Sequence, residues 1–306
     1  MRSGFRVRVL NILSRAIRAL FVVAVVGAVV LAVAWWGSRP AEPDAFYNAP
    51  QQRPRESGVL LRSEPFAKAV PAGARAWRIL YTTTRADNPP AVRSAVVIAS
   101  RRTMSGPRPV IAWAHGTTGV VPGCAPSVMA NPFANVPGVD QLVGEDWVYV
   151  ATDYVGLGTT GGHACLIGDD AARSVLDSVR AARQLTVVNL DNRVVVWGHS
   201  QGGNSALWTG MRAADYAPDV NGLGIAALAP ATDLKALVAS GQSSMFSKIV
   251  SSYLVQAYSS AYPEIDAGFY VKARVRPLAK DISGRQMPQA PRETLSEIER
   301  FFAKWA

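Results

Sequence analysis

Histidine, cysteine and charge are all scarce in this chain. Its 306 residues include three histidines and two cysteines, and only 18% are charged. With 49% hydrophobic residues beside so little charge, disorder is excluded and one large globular domain with a sizeable core is expected. No basic run is interleaved with aromatics and no nucleic-acid motif occurs, so nucleic acid is discounted as a partner despite a formal net charge of +10. Half of that charge is local. Arg2, Arg6, Arg8, Arg15 and Arg18 precede residue 19 with no acidic residue among them, which leaves +10 − 5 = +5 on the rest. A charge of +5 favours an anionic surface, but ordinary solubility accounts for it more simply.

Residues 19–36 read ALFVVAVVGAVVLAVAWW, 18 residues without a charge. That is just long enough to span a bilayer and long for the apolar part of a cleaved signal. The stretch is apolar all round, unlike a core helix with one buried stripe. Arginines on its N-terminal side leave the N-terminus cytoplasmic and the main domain outside, with Trp35 and Trp36 at the far interface. The expectation is a signal anchor over 1–36; cleavage near Ala34, giving a secreted form, is the alternative. Residues 37–58, with Pro40, Pro43, Pro50 and Pro54, read as a linker that buries nothing. Cys124 and Cys165 lie in loop-like sequence of an exported domain and are expected to form a disulfide, worth about 4 kcal/mol in the chain-entropy model; two unrelated thiols are the alternative.

Beyond residue 58 apolar runs alternate with helical patterns. Residues 76–83 and 92–100 read as an antiparallel hairpin around Asp87-Asn88-Pro89-Pro90. Further strands are expected at 110–114, 147–152, 193–197 and 222–228, the last as one more buried strand, and helices at 169–185 and 204–211. Continuous apolar runs suit strands covered on both faces, so the pattern predicts an α/β fold: a mostly parallel sheet with helices on both sides. The core spans 59–230.

Gly198-His199-Ser200-Gln201-Gly202 is a G-x-S-x-G pentapeptide between a β-branched run and a helical pattern, the context a nucleophile elbow requires. There the serine stands on a sharp turn, side chains at positions 198 and 202 would collide with neighbouring elements, and the helix aims its N-terminus at the reacting carbonyl. The N–H of Gln201 is one expected oxyanion donor. His115-Gly116-Thr117 follows the 110–114 strand, where such a turn supplies the second, assigned to Thr117. His115 reads as structural support, His199 as packing, and the loop Asp153-Tyr154-Val155-Gly156-Leu157-Gly158 as either a wall of an acyl pocket or a plain turn at the carboxyl edge.

The GHSQGG elbow, the AHGTTG turn, the DYVGLG loop and the cysteine pair, in this order, resemble the secretory lipase family of α/β-hydrolases over roughly residues 59–270. The resemblance implies lipid-ester substrates, no metal or organic cofactor, Ser200 as nucleophile with Gln201 and Thr117 bordering the oxyanion hole, and a helical cap after the strand that follows the elbow. Residues 234–258 suit the cap, with Leu237, Val238, Met245, Phe246, Ile249, Val250, Tyr253 and Leu254 on helical apolar faces; ordinary core packing explains these residues equally well. One departure stands out. In this fold the triad runs serine, acid, histidine along the chain, yet His115, His163 and His199 all precede Ser200. After Pro230 no apolar strand ending in an Asp-bearing loop is found, so residues 231–306 read as cap and the last strands as absent. The expected protein is a lipase-type ester hydrolase lacking a recognisable acid and base; a lipase sequence cut short is the first explanation, and a noncatalytic relative that binds lipid or a partner is the alternative. His163, beside Cys165, is a remote substitute base, and more simply a solvent-exposed loop histidine.

Overall fold

The computed structural model describes residues 2–37, 39–102, 106–134, 136–240 and 245–287. Two compact units divide the chain, Met1–Arg39 and Pro40–Ala306. The first is one helix, α1 (Arg2–Gly37), within which Ser14–Gly37 is long and apolar enough to cross a membrane. The Arg39 guanidinium lies 4.1 Å from the centre of the Trp36 ring, a cation–π contact at the end of the apolar stretch.

The second unit is built on one seven-stranded sheet: β1 (Leu60–Phe66), β2 (Ala74–Thr84), β3 (Pro90–Ser100), β4 (Arg108–Ala114), β5 (Val148–Thr152), β6 (Leu190–His199) and β7 (Asn221–Leu228). The spatial order is β1-β2-β3-β5-β4-β6-β7. The expected hairpin is present as β2–β3, in register from Ala74↔Ser100 to Thr84↔Pro90. The sheet is mixed: β1, β2, β3 and β5 pair antiparallel in sequence, whereas β5–β4, β4–β6 and β6–β7 are parallel.

Alternation along the strands divides the core into two layers. Ile79, Tyr81, Val97, Val110, Ala112, Val150, Val194 and Val196 face α3 (Gly168–Ala182) and α4 (Gln201–Tyr216). Their neighbours Val96, Ile98, Ile111, Trp113 and Tyr149 face the opposite side, where α2 (Val139–Gly144) adds Val139 and Val143. Beyond β7 every element among the described residues is helical or a 3-10 turn: α5 (Leu234–Ser240), α6 (Met245–Ala261), α7 (Ala267–Tyr270) and α8 (Arg276–Ser283). The expected cap region 231–306 extends into 241–244 and 288–306, which lie outside the described residues. Within α6, Val250, Tyr253 and Ala257 bury themselves against Val120, Cys165 and Leu166.

Three expectations need correction. Residues 37–58 do bury side chains: Phe46 and Tyr47, on a short 3-10 turn capped by Asp44, are 4% and 3% exposed. Arg78 on β2 explains the anchoring, because it pairs with Asp44 at 2.7 Å and Glu64 at 2.8 Å while lying 4.2 Å over the Phe46 ring. The Tyr47 hydroxyl shares a 2.8 Å hydrogen bond with Ser127. Second, Cys124 and Cys165 are both free, buried thiols and not a disulfide. They pack into different apolar clusters, Cys124 with Phe46, Tyr47 and Leu157, and Cys165 with Tyr253 and Leu166. Third, β7 is an edge strand, not a fully covered one: Leu223 is 54% and Ile225 39% exposed.

The anchoring of 40–58 predicts that Phe46→Ala destabilises the globular unit by about 3 kcal/mol. Chemical denaturation followed by tryptophan fluorescence measures it; a loss below about 0.5 kcal/mol, the size of an ordinary surface change, would restore the reading of this segment as a passive linker.

Candidate active site

Strand β6, between β4 and the edge strand β7, carries Val194, Val196 and Gly198 to the elbow, and the chain then reverses at Ser200 into α4. Ser200 has φ 57° and ψ −116°, a conformation that an L-residue adopts only when its surroundings enforce it. Here they do. The Ser200 N–H donates to the Leu228 carbonyl of β7 at 2.9 Å, and its carbonyl accepts from the N–H groups of Asn204 at 3.1 Å and Ala231 at 3.2 Å. The two flanking positions have no room for a side chain. A Cβ at Gly198 would overlap the carbonyl of Gly202, and one at Gly202 would overlap the carbonyl of Ala114. Ser200 is half-buried, and its hydroxyl has no hydrogen-bond partner among the described residues.

Parallel pairing of β4 with β6 sets Ala114 beside Gly198 and so delivers the next residues of β4 to the elbow. A Cβ at Gly116 would stand 3.2 Å from the His199 carbonyl and 3.9 Å from the Ser200 Cβ. Gly116 therefore lies directly beside Ser200. The N–H of Thr117 meets no acceptor among the described residues. Gln201 opens α4, so its N–H has no intrahelical acceptor either.

The histidines are committed elsewhere. His115 is buried, with Nδ1 2.6 Å from the Gly116 carbonyl and Nε2 3.3 Å from the Asp153 carbonyl; a neutral ring donates to one of them. Burial depresses its pKa to about 4, against the raising effect of those carbonyls. His163 is buried as well, contrary to its reading as an exposed loop residue. Its Nδ1 donates to the Val155 carbonyl at 2.8 Å, so Nε2 accepts from the Gln201 amide at 3.2 Å. The Gln201 oxygen in turn accepts a hydrogen bond from the Cys165 thiol at 3.3 Å. Desolvation first, then nearby positive charge, push the His163 pKa to about 3 despite the favourable Val155 carbonyl. A ring so tied and so hard to protonate is a brace for Gln201, not a proton acceptor for Ser200. His199 is half-buried and its pKa is lowered by desolvation.

Asp153 is the buried carboxylate of the region, and it too is occupied. It accepts from the Ser94 hydroxyl at 2.6 Å, the Ser127 N–H at 3.0 Å and the Ser127 hydroxyl at 2.5 Å, tying β3 and the 122–129 loop to the end of β5. Desolvation raises its pKa to about 6 against these hydrogen bonds. Tyr154, which the sequence reading left as part of a loop, is a missed support. It sits at φ 64° with its ring 4.3 Å from His115 and 6.0 Å from His163, and its hydroxyl donates to the His115 carbonyl at 3.1 Å. Its one sequence signal is its place directly after the Asp that follows β5.

A strand–turn–helix elbow with a strained serine, crowded glycines and a second turn against it defines the α/β-hydrolase class. Solved structures agree at the level of fold. Candida antarctica lipase A in its closed state superposes with a TM-score of 0.66 at 21% identity, covering 78% of this chain and 58% of that one. The rice cell wall degrading esterase LipA of Xanthomonas oryzae gives 0.58 at 23%, covering 69% and 62%. Residues 135–295, more than half the chain, match the secretory lipase family, and the chain belongs to it. Among curated relatives, Lipase 5 of Candida albicans is 26% identical over 252 residues, 74% of this chain and 52% of that protein. A protein named "probable inactive lipase" from Mycobacterium tuberculosis is 26% identical over 215 residues, 64% of this chain and 47% of its own. The chain thus spans about half the length of the curated relatives it matches.

Two outcomes follow. Gly202→Ala forces a methyl group into the Ala114 carbonyl, so the variant is expected to be recovered unfolded or in inclusion bodies, whereas Gly222→Ala, on β7 where a Cβ meets open space, folds normally; soluble yield and circular dichroism decide. The pH dependence of stability is set by competing shifts. Between about pH 6.5 and 4 the unfolded chain protonates His115 and His163 while the folded chain does not, so acid destabilises the fold. Asp153 opposes this from about pH 6 downward, because the folded carboxyl takes up its proton first. Two larger shifts outweigh one, and urea unfolding at pH 5 is expected to give roughly 2 kcal/mol less stability than at pH 7, with a shallower dependence in His163→Gln.

Proposed function

We propose that this protein is a lipid-ester hydrolase of lipase type in which Ser200 is the nucleophile. The observation that carries the reading is the strained, half-buried serine at the N-terminus of α4 with the 115–118 turn against it. The Ser200 oxygen attacks the ester carbonyl carbon, the carbonyl oxygen gathers negative charge against the N–H groups of Gln201 and Thr117, and the bond to the alcohol breaks as the leaving oxygen takes up the proton that Ser200 gives up. Water then hydrolyses the acyl-enzyme. The chemistry calls for no metal or organic cofactor. Membership of the secretory lipase family supports lipid or other hydrophobic esters as substrates. The same membership and the apolar segment Ser14–Gly37 support export, with residues 19–36 as a membrane anchor or, if cleaved near Ala34, a signal. Residues 59–230 then form the catalytic core and 231–306 the cap.

Deprotonation of Ser200 is the step for which this chain offers least. His115 and His163 are neutral and spoken for, and His199 is the serine's own neighbour. Loss of the base from a serine triad leaves only the binding and oxyanion contributions, roughly 10³–10⁴ over water. The alternative reading is a noncatalytic lipid-binding or interaction protein on the same scaffold. A fluorophosphonate probe separates the two. Covalent labelling of the full chain that disappears in Ser200→Ala, with turnover of a p-nitrophenyl ester, supports the hydrolase. A folded protein that takes no label, yet binds a fluorescent fatty-acyl ester, overturns it in favour of the binding protein.

A further inference from the structure

The cap carries a surface that the Ser200 chemistry does not use. From Ala267 to Lys280 the chain has four cations, Lys272, Arg274, Arg276 and Lys280, and no acidic residue. None of the four is paired with a carboxylate among the described residues. Arg276 donates to the carbonyls of Val271 at 3.0 Å and Gly268 at 2.8 Å, which fixes its side chain without neutralising it. The flanking acids are engaged: Asp281 pairs with Arg285 at 3.1 Å, and Asp266 accepts the Gly268 N–H at 2.7 Å as the cap of α7. Interleaved with the cations are large apolar side chains that a soluble domain ordinarily covers. Phe269 is 85% exposed, Tyr270 63% and Leu278 54%, and the Phe269 and Tyr270 rings brace each other edge to face at 5.3 Å. Behind them α6, α7 and α8 line an open cleft of about 260 Å³, with Arg276 and Lys280 one helical turn apart on its wall beside Asp266, Ser252, Gln256 and Ser283.

We infer that this α7–α8 face is a docking surface for an anionic phospholipid bilayer. Two complementary features select that partner. Unpaired cations are drawn to the negative surface potential of anionic headgroups, at roughly fivefold in affinity for each. Exposed aromatic rings on the same face gain by entering the interfacial region, where Trp, Tyr and Phe are favoured. A soluble polyanion satisfies only the first feature and a neutral lipid surface only the second. The surface goes beyond the hydrolase reading and does not depend on it, since no residue of the elbow takes part.

The test uses the full chain with Phe269→Cys carrying an environment-sensitive nitrobenzoxadiazole dye, the two native thiols being buried. The protein is incorporated into vesicles of phosphatidylcholine alone or mixed with phosphatidylglycerol, with spin-labelled acyl chains as quencher. A blue shift and quenching in the anionic vesicles are expected, reversed by high salt. Substituting Lys272, Arg274 and Lys280 together by Gln should reduce the docked fraction more than tenfold, and Ser200→Ala should leave it unchanged. These side chains are exposed, so circular dichroism of the triple variant should match the parent. Equal quenching in neutral and anionic vesicles, no quenching in either, no effect of the triple substitution, or the same shift with soluble polyglutamate would each overturn the inference. A failure of Ser200 to react with fluorophosphonate leaves these outcomes untouched, so the two readings fall separately.

Discussion

Where β4, β6 and α4 converge, three stretches of backbone approach more closely than any side chain allows. The overlaps a Cβ would suffer at Gly198 and Gly202 involve carbonyl groups of the elbow itself and of β4, which cannot rotate aside as a flexible side chain can. The rest of the globular unit is arranged around that approach. Because Ala114 pairs with Gly198, the 115–118 turn arrives beside Ser200 without further design. Because the Ser200 N–H is held by Leu228, the edge strand β7 holds the serine at its positive φ. Strain of this kind costs on the order of 1–3 kcal/mol and persists only where surrounding structure over-determines it. Pairing on both sides of β6 is what over-determines it here.

Polar groups behind the elbow are linked into a connected set, and that connection decides what chemistry is left for them. Cys165, Gln201, His163 and Val155 form one chain of hydrogen bonds; Tyr154 and His115 form another, and Asp153 ties the neighbouring loop and strand. A buried polar group without a partner costs about as much as a lost hydrogen bond, so satisfied networks of this sort stiffen loops. The same satisfaction withdraws their members from proton transfer. Burial and neighbouring positive charge act together on His163 to disfavour its charged form. Among the described residues, His115 and His163 are thereby held as hydrogen-bonded supports of the loops beside Ser200.

Much of the fold was legible because its signals are local. The β-branched run before Gly198 and the spacing of Ala172, Val175, Leu176 and Val179 specify strand and helix by period alone, and the structure places β6 and α3 there. The elbow was legible for a different reason: its two glycines answer a steric demand that no other residue meets. Features set by distant partners were not readable. Phe46 and Tyr47 are two aromatics among prolines until Arg78 and Ser127 are brought to them from strand β2 and a loop. Leu223 and Ile225 look like any core strand, since composition does not say which strand ends a sheet. The cysteines illustrate the same limit, because two thiols in loop-like sequence say nothing about which apolar cluster each will enter.

Two apolar surfaces stand out among the described residues of the globular unit, and their difference shows why one of them specifies a partner. The first is shared by α4 and β7, where Leu207, Trp208, Met211, Leu223 and Ile225 are exposed and the Ile225 side chain lies against Gly210 of α4. Apolar area of that kind gains from any cover that excludes water, and the gain scales with area whatever the cover is made of. It therefore ranks partners by shape and not by class. On α7–α8 the exposed rings are joined to four cations that form no salt bridge with a carboxylate among the described residues. Burying those charges in an apolar interface would be costly, whereas a headgroup layer accepts the charges and the rings at adjacent depths. Charge, added to the same hydrophobic driving force, is what turns a sticky surface into a selective one.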